Sequence, residues 1–160
     1  NTFEGSNLRV YRNTDSVGVT LAGAMKNVIA IAAGCAVGLG LGDNAKAAIL
    51  TRGLSEIARF SLVMGAKSDT VYGLAGAGDL ALTCAGPHSR NMAFGMALGR
   101  GEVPSGELAE GSHTVASLAH LAALHKIDAP ITKAVDKLVN HGENLHQIVA
   151  GLLARPAHTE

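Results

Sequence analysis

Two sets of polar residues in this chain have types and spacing that suit chemistry. The first is Lys26, inside the run Leu21 to Ala33, where apolar and small residues cover every face of the implied helix. Asn27 is the only other strongly polar group there. A lysine is seldom fully buried without a partner. Burial disfavours the charged ammonium and turns a lysine into a usable acid or base near neutral pH. The plain alternative is a lysine at a helix edge, its stem on apolar surface and its head in water. The run itself leaves both open.

The second set is Asp79 with Thr83, followed by Ser89, Arg90 and Asn91. Asp79 and Thr83 are four apart and share a helix face. Ser89 can cap a helix whose first turn holds a guanidinium and an amide. Such a start, with free backbone N–H groups, is a phosphate cradle. Taken alone, Ser-Arg-Asn is explained better by an ordinary capped helix with a surface arginine.

Other motifs fall away. Gly40 to Ala45 and Gly76 to Ala81 both fit Gly-x-Gly-x-x-Ala. A dinucleotide loop needs a strand before it and a second strand bearing an acid about 20 residues on. Neither stretch has that context, so helix-end glycines and close helix contacts are expected. The seven histidines, His88 among them, lack metal spacing and are expected at surfaces or helix ends, so no metal is expected. Gly-x-Ser-x-Gly is absent.

These residues must be positioned by helices. From Val17 onward the periodicity predicts helices over 17–36, then to about Met64, a short one from Ser68, and a turn or two through Cys84. Further helices are predicted to about Leu98 and over 112–124, 130–140 and 144–154. Gly34 is expected to break the first. Arg52, Glu56 and Arg59 are spaced for an ion-paired strip. Leu8 to Arg12 alternates as a half-exposed strand would, although a lone strand is unstable.

With 160 residues the chain is one domain by length, 48% hydrophobic and 16% charged, with zero formal net charge. That balance gives no reason to expect nucleic acid or an anionic membrane as partner. Aromatics are 3% and Trp is absent, so small side chains must bring helices close. Cys35 and Cys84 fit buried free thiols in a reducing cytoplasm. The apolar run Val28 to Leu41 is shorter than the roughly 20 residues of a membrane span. The chain begins at Asn1 rather than Met, so its start is not taken as a natural domain boundary.

Several stretches together resemble the C-terminal, substrate-binding domain of the bacterial-type NAD(P)-dependent glycerol-3-phosphate dehydrogenases. They are Gly23 to Gly34, Gly38 to Leu54, Gly73 to Leu80 with Thr83-Cys84, Ser89-Arg90-Asn91, and Glu110-Gly111. They follow the family's order across nearly the whole chain. Val37, where an acid is common, and Leu108, where Val is usual, are mild departures.

The resemblance implies an all-α domain over residues 17–160, of the kind found in the 6-phosphogluconate dehydrogenase-like superfamily. Residues 1–16 would be the last strand and linker of an upstream Rossmann domain. It implies interconversion of dihydroxyacetone phosphate and sn-glycerol 3-phosphate with NAD or NADP, for glycerolipid synthesis in the cytoplasm. Lys26 matches the catalytic lysine. Asp79, Ser89, Arg90 and Asn91 match substrate contacts, with Thr83 in support. Arg90, Leu108 and Glu110 match cofactor contacts. Lys46, Thr51 and Arg52 match the pattern without an assigned role. The expected partners are the upstream domain and a second copy in a homodimer. The alternatives are the helical domain of another hydroxy-acid dehydrogenase or ketoacid reductase, and an inactive helical association module.

Overall fold

The structure is a computed structural model that describes residues 10–86, 88–104 and 109–154. Among these residues there are eight α-helices, one turn of π-helix and no strand. The helices are α1 (Ser16–Gly38), α2 (Gly42–Val63), α3 (Ser68–Tyr72), α4 (Asp79–Thr83), α5 (Arg90–Gly99), α6 (Glu110–Leu124), α7 (Pro130–His141) and α8 (Leu145–Leu153). The π turn, Leu74–Gly78, joins α3 to α4. Val10 to Arg12, part of the expected strand, have no regular structure, as a strand without a neighbour would not; Leu8 and Arg9 lie outside the described residues.

The apolar character of α1 on every side has a direct cause. It is the central helix, packed against α2, α4, α5, α6 and α7. Met25, Val28, Ile29, Ile31 and Ala33 are buried within it. By length and composition α1 could cross a membrane, but most of it lies inside the fold. Asp15 fixes its start. One carboxylate oxygen accepts from Gly18 N at 2.9 Å and the other from Lys67 N at 2.8 Å. These bonds hold the Asp15 carboxyl below its ordinary range.

Gly34 does not end α1, which continues to Gly38. The reason is α5. Asn27, Ile31 and Cys35 of α1 meet Asn91, Gly95 and Gly99 of α5, always 64 positions apart. That constant offset over two turns makes the helices run side by side in one direction. A Cβ at Gly95 would run into the Ile31 carbonyl, and one at Gly34 into the Met92 carbonyl. Glycine on both helices lets their backbones touch.

The strip expected on α2 does not form. Glu56 is fully buried and points at the first turn of α7, where it accepts from Ile131 N at 2.5 Å, Thr132 N at 3.1 Å and Thr132 Oγ1 at 2.9 Å. Three of that turn's donors are thus satisfied by a side chain 75 residues away. Burial pushes the Glu56 carboxyl above its ordinary range, against the pull of those donors. Arg59 donates instead to the Asp128 carbonyl at 2.7 Å. Cys35 and Cys84 are buried free thiols, pushed up to about 12 and about 11 by desolvation.

Candidate active site

Lys26 and Asn27 leave α1 side by side. Lys26 is neither enclosed nor free. Its side chain is 23% exposed, and Nζ lies 2.5 Å from Asp79 Oδ2, itself 34% exposed. Asp79 opens α4 directly after the π turn. That turn is possible because Gly76 presses on the Val71 backbone where a Cβ has no room. Single π turns recur at functional sites, where they re-aim the following residue. Thr83 Oγ1 donates to the Asp79 carbonyl at 2.7 Å and lies 3.5 Å from Oδ1.

A second network joins the starts of α5 and α6 to α1. Asn27 Oδ1 accepts from Asn91 Nδ2 at 3.0 Å, and Asn27 Nδ2 donates to Glu110 Oε2 at 3.2 Å. Asn91 Oδ1 accepts from Gly111 N at 3.0 Å. Arg90 Nη2 donates to Glu110 Oε1 at 2.7 Å, in the open. Ser89 caps α5 by accepting from Met92 N at 3.4 Å. Arg90 and Asn91 therefore divide their tasks. Asn91 is buried and holds three helices in register, whereas Arg90 is exposed above them.

Lys26, Thr83, Ser89, Arg90, Asn91 and Glu110 line one open pocket of about 390 Å³, with Asp79 paired to Lys26 beside it. Thus α1, α4, α5 and α6 bring together every expected site residue within the described part of the chain. Leu108 lies outside it. Asn27 and His88 also line the pocket and were not expected there. Asn27 carried a signal, as the only amide in an apolar run beside Lys26. His88 carried none beyond adjacency to Ser89. Lys46 pairs with Asp43 at 3.3 Å, and Thr51 donates to the Ala47 carbonyl at 3.0 Å, so both serve α2 itself.

Chemically, the pocket combines an ammonium–carboxylate pair with a guanidinium at a helix N-terminus. The pair can exchange a proton with a bound oxygen. The guanidinium and helix start can hold an anion. Of the residues that the resemblance assigns to the nicotinamide cofactor, Arg90 and Glu110 stand on the exposed rim of the pocket, paired with each other. Both glycine fingerprints join helix to helix, so neither is a pyrophosphate loop.

Solved structures share this fold. A glycerol-3-phosphate dehydrogenase from Coxiella burnetii matches with a TM-score of 0.88 at 44% identity, over 94% of this chain and 48% of that one. One from Saccharomyces cerevisiae matches with a TM-score of 0.76 at 31% identity, over 85% and 42%. The class is that of the helical domains found in solved glycerol-3-phosphate dehydrogenases. A family model described as the NAD-dependent glycerol-3-phosphate dehydrogenase C-terminus matches residues 15–150, and the chain belongs to that family. The glycerol-3-phosphate dehydrogenase [NAD(P)+] of Agrobacterium fabrum is 48% identical over 161 residues, which cover 99% of this chain and 49% of the relative. The chain spans about half the length of the curated relatives it matches.

Proposed function

We propose that this chain is the substrate-binding, lysine-bearing half of an NAD(P)-dependent glycerol-3-phosphate dehydrogenase. The observation that carries the reading is the 2.5 Å Lys26–Asp79 pair sharing a pocket with Arg90 at the start of α5. The nicotinamide cofactor, when bound, supplies hydride to the ketone carbon of dihydroxyacetone phosphate. Negative charge then develops on the carbonyl oxygen. Lys26 stabilises that charge and gives the oxygen a proton, leaving the C2 hydroxyl of sn-glycerol 3-phosphate. In the reverse direction a neutral Lys26 takes the hydroxyl proton. Asp79 orients Lys26, and Thr83 steadies Asp79.

Arg90 holds the phosphate with help from Ser89 and the N–H groups of α5, so that binding far from the carbonyl positions the reacting carbon. Glu110 already occupies Arg90, so phosphate must draw the guanidinium away from it. An upstream Rossmann domain ending near residue 16 would hold most of the cofactor. Exposed Tyr72, Leu74 and Leu82 around the π turn and α4 suit its docking. Work in the cytoplasm, where buried free thiols stay reduced, and supply of glycerolipid synthesis complete the reading that the family resemblance implies.

The test is Arg90→Lys in the full-length enzyme, which keeps the charge but loses the bidentate fork. Its kcat/KM for dihydroxyacetone phosphate falls by about 10- to 100-fold, with a much smaller loss for unphosphorylated dihydroxyacetone. Equal losses on both ketones reassign Arg90 to the cofactor or the fold. Turnover of unphosphorylated ketoacids in preference to dihydroxyacetone phosphate overturns the substrate reading itself.

A further inference from the structure

A second cavity lies on the other side of the fold, sharing no residue with the Lys26 pocket. It holds about 300 Å³ between the second half of α1, the first half of α2, α7 and α8. Close-packed proteins leave few voids larger than a water. This one is kept open by alanines where larger side chains would meet, at positions 32, 36, 45, 48 and 134. The opposite wall is the apolar face of α8, with Leu145, Ile148, Val149 and Leu152 at helical spacing. Each is only half-buried, because α8 rests on α7 and leaves the gap to α1 and α2 open.

The lining has one charge. Every other lining residue is Ala, Leu, Ile, Val, Pro or Cys, and the charge is Arg52. The exposed Arg52 side chain has no hydrogen bond or ion pair among the described residues, although Glu56 stands one turn further along α2, turned inward. The Cys35 thiol, pushed up to about 12 by burial, stays neutral. Glu56 also fills the donors of α7's first turn, so that turn is not available to an anion. Arg52 is thus the single charged group lining an otherwise apolar cavity.

We propose that this cavity binds a fatty carboxylate, with the hydrocarbon chain between α8 and the α1–α2 pair and the carboxylate on Arg52. An apolar cavity of this size suits the hydrocarbon part of a ligand. At the ~30 Å³ of a water-sized group, 300 Å³ accommodates roughly ten methylenes. An exposed guanidinium with no protein partner, lining an apolar cavity, is the side chain best suited to a carboxylate. The site is independent of the dehydrogenase reading, since it draws on none of the residues assigned to that chemistry.

The experiment is calorimetric titration of the full-length protein with saturated carboxylates of six, eight and ten carbons, below their micellar range. Each pair of added methylenes tightens binding by about tenfold. Decanol binds at least tenfold more weakly than decanoate, and Arg52→Gln weakens decanoate by a similar factor while leaving decanol unchanged. Ala134→Leu, which fills the cavity, abolishes the binding of both, and Arg90→Lys changes neither. No binding of decanoate by the wild-type protein overturns the proposal, as does affinity independent of chain length. Equal affinity for decanol and decanoate removes the carboxylate assignment. Binding lost in Arg90→Lys places the ligand in the Lys26 pocket. Sedimentation that shows self-association through this face, without decanoate binding, assigns it to a second copy instead.

Discussion

Removing the Lys26 ammonium in the full-length enzyme should separate the chemistry of the pocket from its stability. The Lys26–Asp79 pair is short, but both side chains are about a quarter to a third exposed. At an effective dielectric of about 20, opposite charges some 4 Å apart attract by about 4 kcal/mol before desolvation. Solvent screening and the loss of hydration leave a net contribution of about 1 kcal/mol. Lys26→Met should therefore lower Tm by only a few degrees. The effect on kcat should be far larger, because the developing alkoxide loses both its counter-charge and its proton donor. The expected loss is about 10²- to 10⁴-fold, or roughly 2.7–5.5 kcal/mol of barrier. Asp79→Asn keeps the side chain's shape but leaves Lys26 without its anion, so kcat falls by about 10- to 100-fold. The double variant should be no slower than Lys26→Met, because Asp79 acts through Lys26. Steady-state kinetics in both directions, with circular dichroism to confirm folding, make the measurement. In Lys26→Ala, added ethylammonium should restore part of the rate. A folded Lys26→Met enzyme with near-normal turnover would falsify the assignment. Multiplying losses in the double variant would give Asp79 a separate role.

Four further variants test the framework around the pocket. Gly95→Ala pushes a methyl into the Ile31 carbonyl and should cost about 2–4 kcal/mol by denaturant unfolding, with kcat/KM falling as α5 moves Arg90. Gly23→Ala in α1, with nothing within 4 Å of the new methyl, should instead stabilise by about 0.5–1 kcal/mol; a similar cost at both sites would refute the close-approach argument. Glu56→Gln presents an amide hydrogen to the buried donors of α7 and should destabilise by about 2–4 kcal/mol, whereas a loss under 0.5 kcal/mol would show those donors satisfied otherwise. The Asp15 carboxyl is held down by the Gly18 and Lys67 N–H groups, so its contribution is full at neutral pH and lost as pH falls through its folded value. Asp15→Asn should therefore melt lower than wild type at pH 7, with the gap closing on acidification; a gap that widens in acid contradicts the assigned direction.

Much of this arrangement was legible without coordinates, for reasons that are local. Helical periodicity and Ser89 as a cap depend on neighbours within one turn, and α5 starts where Ser89 stands. The oddity of Lys26 in an apolar run was visible for the same reason, and the family motifs supplied its companions. What stayed hidden depends on pairs distant in sequence. Gly34 should end a helix judged by its own propensity, but α5 lies against it and the helix runs through. Glu56 is spaced to pair with Arg52 or Arg59, but the start of α7 offers three N–H and O–H donors that no local ion pair can match. Asn27 showed only as a polar residue; its place between Asn91 and Glu110 follows from the constant 64-residue offset of α1 and α5. Sequence thus determined which groups could do chemistry and which segments coil, because both follow from residue type and near neighbours. Tertiary structure alone decided which groups meet, because backbone contact between glycines sets the helix register, and register sets which side chains face one pocket.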